Sequence, residues 1–249
     1  MNKVIDEIYS SGSVVSRNGT VHKLHSEVDR EEGKFLYDVI KSESTVVKTL
    51  EVGCAYGLSS LHITAATKDR EGCAHTIVDP FQNSQWDGIG VSNLEKAGID
   101  FYELHELKSE FALPQILKDN EGTYDFIFVD GWHTFDHTLI DCFYATRLLK
   151  VGGLLAIDDI TYPSITQVAD FLLNYPCYKQ HAIVSKKVGF SWKRSLTRLA
   201  TFPFSKKLLE KTLSRQIYRK IYEYEQTRMI VLKKTEEDER SWDWHDARF

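Results

Sequence analysis

The sequence predicts an α/β fold: a parallel sheet with helices on both faces. Short, near-continuous runs of Val, Ile, Leu and Phe alternate with segments of helical period along the chain. Polar residues end several of those runs, at Glu51, Asp79, Asp130 and the pair Asp158-Asp159. A glycine-containing turn follows the first run and opens a helix. The 249 residues allow one such domain with additions. With 42% apolar and 27% charged residues the chain has both a core and a hydrated surface, which excludes collagenous and low-complexity classes.

Residues 1–27 read as a short helix and an extended cover segment. From Asp29 to about Ser42, acids come first and then Phe35, Leu36, Val39 and Ile40 at helical spacing, an amphipathic helix with negative charge at its positive end. TVVKTLEVG is a buried strand, followed by the glycine turn and the helix SSLHITAATKD. AHTIVDPF is a second strand, a polar helix ends over 93–98, and FYELHE is a third strand. FALPQILKDN is a short helix, YDFIFVDG a fourth strand, TFDHTLIDCFYATRLLK a helix and GGLLAIDDI a fifth strand. SITQVADFLLN is a further helix and HAIVSKK a sixth strand. Ligands of such sheets bind beyond the carboxyl ends of the strands, so the strand-ending polar residues are the site candidates.

In the turn Glu51-Val-Gly-Cys-Ala-Tyr-Gly57, two glycines permit a tight bend and close approach to a ligand, and the helix that follows offers free N–H groups. The spacing is neither the dinucleotide G-x-G-x-x-G nor a P-loop. Asp79 follows Gly57 by 22 residues and ends the second strand, where an acid can accept both hydroxyls of a ribose.

This turn resembles the first motif of class I S-adenosylmethionine-dependent methyltransferases, and Val-Asp79-Pro-Phe resembles their second. Phe-Ile-Phe-Val-Asp130-Gly-Trp-His133 and Leu-Leu-Lys-Val-Gly-Gly-Leu-Leu-Ala-Ile-Asp158-Asp159 resemble the O-methyltransferase branch, over roughly residues 30–175. The resemblance implies a Rossmann-like, doubly wound sheet of seven strands, whose last strand, Thr227 to Lys233, is antiparallel and inserted beside the sixth. It implies S-adenosylmethionine near Gly53, Cys54, Ala55 and Gly57, with Ser59 at the helix start, Asp79 on the ribose and Leu107 to Ser109 at the adenine. Glu51 and Asp130 join that cofactor set. Leu-Lys-Ser stands where the family more often has Gly-Asp-Ser.

A hydroxyl becomes a methyl acceptor once its proton leaves, which a metal or a general base promotes. Asp130, Asp158 and Asp159, at the ends of neighbouring strands, offer all-oxygen ligation suited to Mg²⁺, and the resemblance implies the same three as metal ligands. His133 stands where related enzymes carry a base; the structural alternative is a cap on the helix starting near Thr134. His137 reads as structural, and Tyr56, Trp86 and Trp132 as acceptor-pocket walls or packing. His62 and His75 read as surface or hydrogen-bonded core residues.

The four cysteines form no CxxC pair and suit a reducing cytosol. No run of 18 apolar residues occurs and the first residues lack a signal-peptide pattern. Between Lys179 and Lys234, 15 Lys or Arg face three Glu; this excess of +12 leaves −17 for the rest of a chain of net charge −5. Leu196 to Ile221 read as basic amphipathic helices in an insertion over about 190–226, suited to an anionic ligand, a membrane surface or a homodimer contact, with solvated packing as the alternative. No nucleic-acid motif accompanies the charge.

The expected organisation is a cover segment over 1–28, the methyltransferase domain over 29–234, and an acidic, aromatic tail over 235–249 that is either flexible or a docking strip. The expected function is Mg²⁺-assisted O-methylation of a small molecule or glycan, in the cytoplasm or peripheral to a membrane. The alternatives are a metal-independent enzyme using His133 alone and a non-catalytic binding module recruited through its basic helices.

Overall fold

The computed structural model describes residues 2–25, 28–187 and 225–245. A helix α1 (Lys3–Ser11) leads into a small antiparallel hairpin, β1 (Ser13–Val15) and β2 (Val21–Lys23), in place of a plain extended cover. Helix α2 (Arg30–Ser42) starts at a capping box: the Asp29 carboxylate accepts from Glu31 N and Glu32 N, and Glu32 Oε2 accepts from Asp29 N.

The alternation that follows is β3 (Lys48–Val52), α3 (Leu58–Thr67), β4 (Ala74–Val78), α4 (Ile89–Lys96), β5 (Tyr102–His105), α5 (Ser109–Asn120), β6 (Tyr124–Val129), α6 (Phe135–Leu148), β7 (Leu149–Ile157), α7 (Pro163–Leu172), β8 (Tyr178–Lys187) and β9 (Glu225–Lys234). Seven strands form one sheet in the order β5-β4-β3-β6-β7-β9-β8. The pairs from β5 through β7 are parallel, and β9 runs antiparallel to both β7 and β8. The inserted antiparallel last strand is therefore present.

Strand β6 is buried along its whole length because it is covered twice. Phe126 and Phe128 pack with Leu36, Ile40 and Ile63 of α2 and α3, while Ile127 and Val129 pack with Leu113, Cys142 and Val168 of α5, α6 and α7. A third cluster joins Ile5 and Ile8 of α1 to Leu58, Leu61 and Ile89, so the cover helix is part of the core.

Three expectations change. Helix α4 is not polar; Ile89 to Leu94 are all buried, because the helix wedges under the glycine turn, where Asn93 Nδ2 donates to Tyr56 O at 3.0 Å. The described part of the tail folds back onto the domain: Thr235 N donates to Cys177 O at 2.8 Å, and Trp244 packs on Phe171 and Tyr175. Arg240 lies 3.4 Å over the Tyr175 ring and pairs with Asp238. The basic helical insertion lies outside the described residues.

His62 is the third change. It is 1% exposed and neither ring nitrogen has a hydrogen-bond partner, whereas His75 is bonded to Thr49 Oγ1 at 2.8 Å. Helices α2 and α3 meet here so closely that a Cβ on Gly33 would fall 2.4 Å from the His62 ring. Burial, with the nearby Arg30 charge, lowers the imidazole from 6.5 to about 4. The unfolded chain therefore binds more protons than the folded one between those two values. Stability falls as the pH drops from about 6.5 to about 4, by on the order of 3 kcal/mol from this group. Denaturant titrations at pH 7 and pH 4.5 are expected to show that loss, and His62→Leu to reduce it.

Candidate active site

The sheet ladder continues one residue past each central strand. Gly53 N donates to Val78 O at 2.9 Å, Asp130 N to Val52 O at 2.9 Å, Asp158 N to Val129 O at 3.1 Å and Asp79 N to His105 O at 3.1 Å. These bonds set the residues after β3, β4, β6 and β7 side by side, around a cavity of about 920 Å³. Small-molecule sites usually span about 300–1,000 Å³, so this cavity is at the upper end of that range.

The glycine turn forms one wall. Gly53 has φ +89°, and a Cβ there would lie 2.0 Å from the Asp130 carbonyl oxygen; Gly57, at φ +80°, would meet Gly90 O at 2.7 Å. The turn is thus held between the ends of β6 and α4 with no room for side chains at these positions. Asp79 fastens it from below: Oδ2 accepts from Cys54 N at 3.0 Å, Ala55 N at 2.9 Å and Gln82 Nε2 at 3.1 Å, and Oδ1 from Phe81 N at 2.9 Å. Oδ1 thus accepts one of the two hydrogen bonds an oxygen can take, so one acceptor position on Asp79 stays open.

Gly53, Cys54, Ala55, Ser59, Asp79, Ser109 and Asp130 all line the cavity. Gly57 shapes the turn from beneath. Glu51 does not reach the cavity; it is fully buried, hydrogen-bonded by Ser60 Oγ and 3.4 Å from His75 Nε2. Its side chain alternates to the helix-covered face of β3, which the motif spacing does not reveal.

A second part of the lining is acidic. His133 Nε2 lies 3.4 Å from Asp130 Oδ1 and 3.3 Å from Asp159 Oδ2, and the three side chains offer ligand atoms within 4.8 Å of one another. Asp158 is outside this group. It is 5% exposed, and its Oδ1 accepts from Asp159 N at 2.7 Å. Asp159 sits at φ +53°, and this left-handed turn sends two consecutive carboxylates in different directions. The predicted triad of Asp130, Asp158 and Asp159 is therefore replaced, in close grouping, by Asp130, His133 and Asp159.

Burial pushes the Asp130 carboxyl up to about 6, with the His133 hydrogen bond opposing the rise and the Asp159 charge adding to it. Burial, with the charges of Asp130 and Glu32, drives Asp158 well above the usual range. The Asp130 hydrogen bond holds His133 above its ordinary 6.5, against the opposing effect of burial. His133 does not cap α6, whose N-cap is Thr134. Its ring stacks on Tyr162, with centroids 5.3 Å apart and planes 14° apart, and its carbonyl accepts from Ser164 Oγ at 2.7 Å.

His137 bonds Thr134 Oγ1 at 2.8 Å and borders the cavity apart from the acids. Tyr56, Trp86 and Trp132 all border it as well; Tyr56 and Trp86 meet edge-on at 5.0 Å.

Sequence reasoning missed Arg228, Glu32 and Tyr162. Arg228, on β9, lines the cavity with Nε 3.0 Å from Glu32 Oε1 and Nη2 3.9 Å from Asp159 Oδ1. No local pattern marks it, because only the insertion of β9 beside β7 brings it to the acids.

Residues 50–160, from β3 past the end of β7, match the family model described as "Methyltransferase domain". These residues are similar to that methyltransferase domain. Over 139 residues it is 36% identical to caffeoyl-CoA O-methyltransferase 2 of Eucalyptus globulus, covering 52% of this chain and 51% of that one. Over 131 residues it is 30% identical to probable caffeoyl-CoA O-methyltransferase 2 of Dictyostelium discoideum, covering 51% and 52%. The chain thus spans about half the length of the curated relatives it matches. The likeness in fold extends further: an O-methyltransferase from Bacillus cereus solved in complex with SAH superposes with a TM-score of 0.62 at 15% identity, over 94% of this chain and 92% of that one. The O-methyltransferase TomG from Streptomyces achromogenes, solved with SAM, gives 0.60 at 14% identity over 75% and 84%. Arg228 and the tail lie beyond the residues matched by the family model.

Proposed function

We propose that this chain is an S-adenosylmethionine-dependent O-methyltransferase that uses His133 to deprotonate a hydroxyl of a small molecule. The observation that carries this reading is the position of His133, held between Asp130 and Asp159 in the lining of the cavity that the glycine turn also borders. With Nε2 facing the two carboxylates, Nδ1 is the ring nitrogen left to take the acceptor's proton. The carboxylates orient the ring and stabilise the imidazolium that forms. Closing the donor and acceptor into one cavity supplies alignment and excludes water. The aromatic lining of Tyr56, Trp86 and Trp132 supports a planar acceptor, in keeping with the caffeoyl-CoA named in the relatives. A sugar hydroxyl is the second acceptor class.

The acids also fit a divalent cation. Asp130, Asp158 and Asp159, with Glu32 behind them, repel one another in a buried setting that Arg228 and His133 neutralise only in part. Asp130 and Asp159 would hold the ion, with Asp158 beside them, and such an ion lowers the pKa of an acceptor hydroxyl. Isothermal titration with S-adenosylmethionine, with and without Mg²⁺, tests the cofactor assignment; no binding in either condition would overturn the enzyme reading. Chelation with EDTA is expected to abolish turnover and added Mg²⁺ to restore it. Full turnover in EDTA leaves His133 as an unassisted base.

Among the described residues no helix is long and apolar enough to cross a membrane. The four cysteines are free, which supports a reducing compartment such as the cytoplasm. An anionic partner, membrane surface or second subunit at the basic insertion remains part of this proposal, to be tested by salt-dependent liposome binding.

A further inference from the structure

Arg228 borders the cavity from β9, with its side chain 31% exposed. Its Nε lies 3.0 Å from Oε1 of Glu32, a residue near the start of α2 that is 1% exposed and does not line the cavity. Neither atom has a hydrogen-bond partner, so charge and not an aligned bond holds the pair together. The other Glu32 oxygen is taken by the capping box, accepting from Asp29 N at 3.0 Å. Arg228 Nη2 stands 3.9 Å from Asp159 Oδ1, beyond hydrogen-bond range. The direction of Asp159 is set by its own turn instead: φ is +53°, its N–H donates to Asp158 Oδ1 at 2.7 Å, and its carbonyl accepts from Tyr162 N at 2.9 Å. The Arg228 side chain therefore brings a permanent positive charge to the acids without fixing where the Asp159 carboxylate points.

We propose that Arg228 is a built-in counter-charge of the acid cluster, competing with a divalent cation for Asp159 and so setting how tightly the cluster holds that ion. This rests on the cation reading above, and on the ligand atoms of Asp130, His133 and Asp159, which lie within 4.8 Å of one another. In the folded chain without an ion, the guanidinium offsets part of the repulsion among the acids. An ion drawn to Asp159 meets a like charge already paired with the same carboxylate, which weakens its hold. Glu32 works the other way. Its buried carboxylate cancels part of the Arg228 charge, and so favours the ion from a position outside the cavity. Two residues of opposite charge, neither of them a ligand, should thus move the ion affinity in opposite directions. Damage to the fold would lower it in both.

The test is isothermal titration of the full chain with Mn²⁺ at constant pH and ionic strength. Arg228→Gln is expected to tighten binding by about tenfold or more, from the removal of one unit charge beside a ligand carboxylate. Arg228→Lys keeps the charge and is expected to stay within about threefold of the wild type. Glu32→Gln keeps the capping box, which takes Gln as well as Glu, and is expected to weaken binding by about threefold or more. Arg228→Gln leaves Glu32 buried without its counter-charge. Should that variant fail to fold, the double variant Glu32→Gln/Arg228→Gln removes both charges and is expected to bind more tightly than Glu32→Gln alone. Asp159→Asn is expected to lose binding, which ties the signal to this cluster.

Binding in Arg228→Gln no tighter than in the wild type, or tightening by Arg228→Lys as large as by Arg228→Gln, overturns the role of Arg228 and leaves the cation reading standing. Tighter binding in Glu32→Gln than in the wild type does the same, as does a double variant no tighter than Glu32→Gln. Binding that appears only in Arg228→Gln supports the role. No Mn²⁺ binding in the wild type or any variant, or binding that Asp159→Asn leaves unchanged, overturns the cation reading and this proposal together.

Discussion

His133→Ala is expected to lower turnover by a factor of about 10²–10⁴, the usual contribution of a positioned acid or base, while the affinity for S-adenosylmethionine changes by less than about threefold. The separation follows from placement. His133 stands with Asp130 and Asp159, and its ring stacks on Tyr162. The glycine turn is fastened separately, by the Asp79 carboxylate accepting from Cys54 N and Ala55 N. Steady-state rates with an accepted hydroxyl substrate, set beside titration of the cofactor, check both halves. Loss of cofactor binding in this variant, or survival of turnover, removes His133 from the role of base. The acid side of the rate profile carries a second mark of the same group: because Asp130 raises His133, the rate should fall with decreasing pH through a value above 6.5.

Gly53→Ala is expected to be the most damaging single methyl in the protein. Its φ of +89° already penalises a side chain, by about 1–3 kcal/mol. The added Cβ would also stand 2.0 Å from the carbonyl oxygen of Asp130, a backbone atom that cannot rotate away. Relief requires β3 and β6 to separate at the site itself, which moves Asp130 and breaks the bond from Asp130 N to Val52 O. Cofactor binding and stability should therefore fall together. Gly98→Ala is the control: φ there is +74°, yet nothing lies within 4 Å of the added carbon, so it carries the backbone penalty alone. Chemical denaturation of the two variants measures the difference. A Gly53→Ala protein no less stable than Gly98→Ala, with cofactor binding intact, would show that the turn is not held as described.

The acid dependence at His62 is also a matter of placement. One imidazole between two close helices is indistinguishable in sequence from a surface histidine on an amphipathic helix. Its cost appears only when α2 and α3 meet at Gly33.

Much of the fold was legible because its signals are local. Apolar runs such as YDFIFV, short and bounded by turn residues, fit strands buried on both faces, and the acids after Val78, Val129 and Ile157 mark where those strands leave the core. The inserted antiparallel strand is the one that the family resemblance of those motifs implies. The site was legible to the same depth. The strand-end positions Gly53, Asp79, Asp130 and His133 do surround one cavity, because a parallel sheet sets its carboxyl ends in a row.

Beyond that depth, side-chain direction and long-range contact decide, and neither is written in local spacing. Glu51 belongs to the first motif, but strand alternation turns it into the core toward His75. Asp158 and Asp159 are adjacent and chemically identical, but a left-handed turn at the second sends only Asp159 to His133. Arg228 reaches the acids from β9, and Trp244 reaches Tyr175 from the tail, across stretches of chain that no period connects. The sequence by itself determined the strands and the acids at their ends, since burial on two faces and the chemistry of a turn act within a few residues. Only the tertiary structure decided which of those acids stand together and which basic groups face them, since that depends on how separate elements pack in space.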